Sequence, residues 1–230
     1  AGGTWSQAAN WSLGRVPAAT DSVVIALDGT YTVVLDTTFT GSHLAVGATS
    51  GTQTLSLSSR TLTLSGTLSI ADSGALSLTG ATVAGSGSLT NAGHIIARSS
   101  GIALSVANAG TLRAFASTSL TGSLATTADS RIEVEGDGGA GISTLTVANG
   151  FTNFGVIELR SVTSAYDANI VVSNGTLTNE ASGSIRSVVG TGGARGIGAA
   201  LDNQGLVLIE QPTTLSGSAA AHLNGGSIAL

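Results

Sequence analysis

A double periodicity between Thr54 and Ile95 constrains this chain more than any other feature. Apolar residues there alternate with Ser and Thr in short runs: Leu55/Leu57, Leu62/Leu64, Leu68/Ile70 and Leu76/Leu78. Such alternation, broken by Gly, Asp and Ser clusters, reads as short strands joined by tight bends. A longer period lies above the first. Leu55, Leu62 and Leu68 recur as Leu76, Val83 and Leu89, each 21 residues later. A repeat of about 20 residues with three strands per unit is the pattern of a β-solenoid. The expected fold is therefore all-β: a right-handed parallel β-helix with about three short strands per coil. Each coil buries its apolar side against the next.

Composition agrees. Charged residues are 9% and aromatics 3%, and Gly supplies 33 of 230 positions. Small side chains suit a narrow core of thin layers. All eight cationic residues are arginines, scattered from Arg15 to Arg195, and the net charge is −5. No basic footprint for nucleic acid is present, and no apolar run is long enough to predict a transmembrane segment. The absence of Cys removes disulfide and thiolate chemistry. The chain begins without Met or a signal peptide and stops in a strand-like pattern. It is therefore expected to be a piece of a longer protein.

Residues 1–30 differ from the rest and are expected to form a cap-like segment, with solenoid coils over 31–230. The segment holds both tryptophans, Trp5 and Trp11, and Pro17; Ser22–Ile25 reads as its strand. Two indoles at a chain end fit a cap over the first layer; the alternative is an aromatic platform for sugars. Within the next stretch, Val33, Leu35 and Leu44 are expected to point inward. Asn10-Trp11-Ser12 and Asn174-Gly175-Thr176 match the glycosylation sequon.

From Leu89 onward the signature apolar-x-Asn-x-Gly-x-apolar appears. It places Asn91, Asn108, Asn153, Asn179 and Asn203 one per coil, with Asn179 in a variant two residues longer. The interval from Asn108 to Asn153 spans two layers. Asn and Gly are expected here for left-handed turn geometry, and stacked Asn side chains would also hydrogen-bond along the axis. Coils of 17–26 residues, nine to eleven in all, follow from these spacings. Two glycine-rich segments, 131–141 and 190–198, are expected to be loops or wide bends, the places where solenoids carry binding surfaces.

Candidates for chemistry are few. Glu133, Glu135 and Asp137, beside Asp129 and Arg131, would put two carboxylates on one strand face. That pair would serve Ca²⁺ or proton abstraction, or form a solvated face that discourages edge pairing. The second reading is preferred, since a β-helix enzyme gathers more carboxylates and aromatics. Gly136–Gly141 matches a calcium nonapeptide only faintly, and Gly193–Gly198 runs opposite to a dinucleotide loop. His43, His94 and His222 show no metal-ligand spacing. No catalytic residue, metal site or cofactor is assigned, and no enzyme activity is expected. Outward rows such as Thr61/Thr63, Thr67/Ser69 and Ser77/Thr79 would also fit a flat hydroxyl array of the ice-binding kind.

The opening pattern Trp5…Asn10-Trp11-Ser12-x-Gly14-x-x-Pro17-x-x-x-Asp21-x-Val23, the Leu-Ser-Gly-Thr runs and the Asn-x-Gly units resemble bacterial autotransporter passengers and filamentous haemagglutinin-like adhesins. The resemblance covers nearly the whole chain. It implies export, an extracellular or bacterial cell-surface location, and no catalytic residues to carry over. The function expected is a structural or adhesive rod segment, with surface glycans or proteins as partners and end-to-end self-association into filaments. The alternatives are a carbohydrate-binding or carbohydrate-active β-helix and, behind it, an ice-binding solenoid.

Overall fold

A computed structural model describes residues 2–217 and 221–230; the first residue of the expected cap and residues 218–220 of the last coil lie outside the described residues. Strands Tyr31–Leu35, Phe39–Gly41 and His43–Val46 make one turn of the chain. The next turn follows with Gln53–Ser58, Thr61–Leu64 and Thr67–Ile70. Each strand hydrogen-bonds in parallel to its counterparts in adjacent turns, so three sheets line the rod. In chain order from Tyr31, the first face has eleven strands, the second ten and the third six. The fold is a parallel β-solenoid of about ten turns, roughly 45–50 Å long at one strand spacing per turn.

The repeat read from the sequence is the stacking register. Leu55 pairs with Leu76, Leu62 with Val83 and Leu68 with Leu89. These residues, with Leu57, Leu64, Ile70 and Leu78, are buried in one continuous core. Leu35 and Leu44 are buried in it too, while Val33 packs against it half-buried. Each buried aliphatic contributes about 1.5–3 kcal/mol as an upper figure.

Coil length varies more widely than the asparagine spacing predicts. Ile95 and Leu112 are in register 17 residues apart, whereas Ile157 and Ile185 are 28 apart. The added residues gather where the first face turns into the second, as loops 137–142, 162–167 and 188–194. Each glycine-rich segment expected to be a loop is only half loop. Arg131–Gly136 is an interior strand of the first face, and Arg195–Asn203 is a strand of the second. In the first, alternation of Ile132 and Val134 with charged residues outweighs the glycines that follow; in the second, Ile197 and Ala199 keep the inward phase.

The reason for Asn-x-Gly also differs from expectation. None of the five asparagines has positive φ, and neither do Gly93, Gly110, Gly155, Gly183 and Gly205. Gly110 shows the actual constraint: a Cβ there would overlap the carbonyl oxygens of Ala92 and Gly93 in the coil below. Glycine permits the close approach of backbone to backbone. The left-handed corner lies elsewhere, at the end of the first face. There Ser59, Gly80, Ser99 and Ala116 follow one another up the stack, each with φ between 50° and 57°.

At the N-terminal end the aromatic residues pack against the core. Strand Gly3–Thr4 pairs with Tyr31–Leu35, which seats Trp5 over the core with 0% exposure. Its ring meets Phe39 at 4.6 Å and Trp11 edge-on at 4.8 Å. The Trp11 Nε1–H donates to the Trp5 carbonyl at 2.7 Å. Trp5 therefore presents no face to a sugar.

Candidate functional site

Five of the arginines scattered along the sequence gather with Glu133, Glu135 and Glu158 on the outer surface of the first face. Register places Arg113, Glu133, Glu158 and Arg186 in one outward column. Arg98 and Phe115 pair in the neighbouring column, where Glu135 also pairs with Arg160. Sequence inspection finds Glu133, Glu135 and Arg131 but misses their partners. Offsets of 20 and 25 residues join Arg113 to Glu133 and Glu135 to Arg160, and they are visible only once coil lengths are known.

Three carboxylates and three guanidiniums form a plate. Arg113 Nε donates to Glu133 at 2.7 Å and lies 2.9 Å from Glu135. Arg131 bridges Glu133 and Glu158, reaching the latter at 2.6 Å. Arg160 contacts all three acids, with Glu158 and Glu133 each at 3.1 Å and Glu135 closer. Glu133 and Glu135 are only 4% and 3% exposed. They are thus neither a solvated face nor an edge guard, because their strand lies inside the sheet with neighbours on both sides. Burial works against ionised Glu133, but hydrogen bonds from Arg131 and Arg113 and the charges of Arg160 and Arg113 outweigh it. Its pKa falls below the usual carboxylate range.

Asp137 extends the plate across two coils. It pairs with Arg98 at 3.0 Å, and Arg98 in turn lies 4.4 Å over the Phe115 ring. The other Asp137 oxygen accepts the Gly139 and Ala140 amides, so the loop turns around this carboxylate. The Arg98 hydrogen bond is the main cause of its lowered pKa. Asp129 stands outside the plate, on the turn before Arg131. No group of three or more His, Asp or Glu side chains able to hold a metal ion occurs among the described residues. His43 accepts the Thr67 amide at Nδ1, 3.2 Å away.

The three inserted loops form a ridge beside the plate. The Gly138 amide donates to Thr163 Oγ1 at 2.8 Å, and the Ala194 amide to Asp167 at 2.7 Å. Arg195 anchors the ridge from inside. Its guanidinium is 1% exposed and donates to the carbonyls of Leu159, Val188, Gly192 and Ala194 within 3.1 Å. Desolvation pulls its pKa below the ordinary value, against the opposing charge of Asp167. The outer surface of the ridge carries exposed Ile142, Val162, Tyr166 and Val189.

A second constellation is internal. Asn153, Asn179, Asn203 and Asn224 form a ladder at the ends of strands that belong to the second sheet and run on past the level where the third sheet stops. Each Nδ2–H donates to the next Oδ1, at 2.8, 2.7 and 2.7 Å. Asn91 and Asn108 form a shorter ladder at 2.7 Å. Thr126 takes the position between the two ladders.

These features define the chain as a parallel β-solenoid with a charged plate and a loop ridge along one edge. Comparisons with protein-family models, curated proteins and solved structures find no match. No helix among the described residues is long and apolar enough to cross a membrane, which says nothing of β-barrel spans.

Proposed function

We propose that the chain is a rod segment of a bacterial cell-surface or secreted protein, with a structural or adhesive role. The observation that carries this is the unbroken stacking of the first face over eleven strands, with its longest insertions gathered on one edge. Continuous backbone ladders make a stiff spacer, and inserted loops on one side of a repeat fold are where recognition is concentrated. Surface glycans or proteins are the partners this reading implies. The plate supports a structural use of the acids, since each is paired with at least two arginines.

The test compares the intact chain with a variant carrying Ile142→Ser, Val162→Ser, Tyr166→Ser and Val189→Ser. Binding to glycan arrays and to whole cells is measured for both. The adhesive role predicts binding by the intact chain that the variant loses. Absence of binding by the intact chain, or equal binding by both, rejects recognition through the ridge.

A further inference from the structure

We infer that the rod contains a built-in seam, a hinge at the boundary between the coil ending at Thr126 and the coil ending at Asn153. Four observations meet there. First, Leu124–Thr126 is in ladder register with Val106–Asn108 below it, but the third sheet stops at this strand. The segment Phe151–Asn153 above is in register only with Leu177–Asn179. Second, the corner is closed by a side chain. The Glu180 amide donates to the Asn153 carbonyl at 3.0 Å, and the Gln204 amide to the Asn179 carbonyl at 2.7 Å. At the seam the Phe154 amide donates instead to Thr126 Oγ1 at 3.0 Å, and that hydroxyl donates to the Thr152 carbonyl at 2.8 Å.

Third, the asparagine ladder is interrupted at the same level. Thr126 stands where a rung would lie, so Asn108 Nδ2 keeps only the Gly110 carbonyl contact at 3.1 Å that Asn153 also makes to Gly155. The upper ladder starts at Asn153 with its Oδ1 unpartnered, as the lower one starts at Asn91. An unpaired buried acceptor weakens the closed state. Fourth, the opposite side of this boundary is fastened. Arg113–Glu133 and Arg98–Asp137 cross it on the first face. The second face stays in register from Ser117–Leu120 to Thr144–Val147. One corner is thus held by a threonine while the face opposite is held by charges. The rod opens at the third-face corner, with the plate as the fixed side.

Hydrogen exchange on the whole chain tests this, because local opening appears directly in amide protection. Amides of residues 124–126 and 151–154 should exchange about tenfold faster than those of residues 106–108 and 177–179. Equal protection would overturn the seam. In Thr126→Asn, the new amide joins the two ladders by accepting from Asn108 and donating to Asn153. Exchange at the corner should then slow about fivefold, with residues 68–70 unchanged; no slowing in a folded variant counts against the seam. Arg113→Ala provides an independent check should the first variant misfold. It should speed exchange of residues 112–114 and 132–134, and unchanged protection there would reject the plate as the fixed side.

Discussion

Asn179 shows what a single residue does in this architecture. Its Nδ2–H reaches Asn203 Oδ1 while its own Oδ1 accepts from Asn153, so one side chain joins three coils. Asn179→Leu leaves a donor below and an acceptor above without their partner. The expected cost is about 2–3 kcal/mol by urea unfolding, against less than about 1 kcal/mol for Asn224→Leu at the exposed end. Asn179→Asp adds a pH signature. One oxygen of the buried carboxylate keeps the Asn153 donor, but the other, in place of Nδ2, faces Asn203 Oδ1 and the Gly183 and Leu206 carbonyls, which offer it none. Its folded pKa would be raised, so the variant should gain stability relative to the parent chain as pH falls through that value. A deficit independent of pH would contradict the ladder geometry. The corners separate two uses of small residues in the same way. Ala116 has φ 50°, and Ala116→Gly should stabilise by about 0.5–1 kcal/mol by relieving left-handed strain. Gly110→Ala should cost about 3 kcal/mol, because its Cβ would enter the coil below. Denaturant midpoints moving in opposite directions would confirm both.

Among the elements, strand Arg131–Gly136 ties the inner core to the outer plate. Ile132 and Val134 point inward and are fully buried, while Glu133 and Glu135 point outward beneath arginines. The lowered pKa of Glu133 fixes the sign of its pH dependence. Its ionised form contributes stability above the unfolded value near pH 4.3, and the contribution is lost as pH falls through the lower folded value. Glu133→Gln should cost about 1–2 kcal/mol at pH 7, discounted for the partly exposed arginines, and the deficit should shrink below about pH 4. A deficit that grows with acid would contradict the plate. In the sequence this strand is hidden in a glycine-rich segment that reads as a loop; the shared face of Glu133 and Glu135 is legible, and their arginine partners are not. Period-two alternation needs only the local chain and shows that Leu55 and Leu76 point inward, and the constant 21-residue spacing there sets their register. Pairing Arg113 with Glu133 or Glu135 with Arg160 requires the length of each intervening coil, and the insertions at 137–142 and 162–167 hide it. Arg195 was invisible for a related reason: its partners are backbone carbonyls, which leave no side-chain pattern.

At the scale of the molecule, the rod is asymmetric. Arg98, Arg113, Arg131, Arg160 and Arg186 all project from the first face, whereas in-register outward positions of the second, such as Thr61/Thr82 and Ser119/Thr146, carry small hydroxyls. The inserted loops follow the charged face. The whole arrangement depends on coils lying directly over one another, and cysteine pairs test that in a chain with no cysteine of its own. Ser56 and Ser77 are in register on the first face, while Thr79 is in register with Ser58. A disulfide needs Cα atoms within about 7 Å of each other. Oxidation of the Ser56→Cys, Ser77→Cys double variant should give rapid, near-complete intramolecular cross-linking, and the Ser56→Cys, Thr79→Cys pair should lag far behind. Equal yields from the two pairs, or no cross-link in a folded Ser56→Cys, Ser77→Cys protein, would contradict the stacked solenoid.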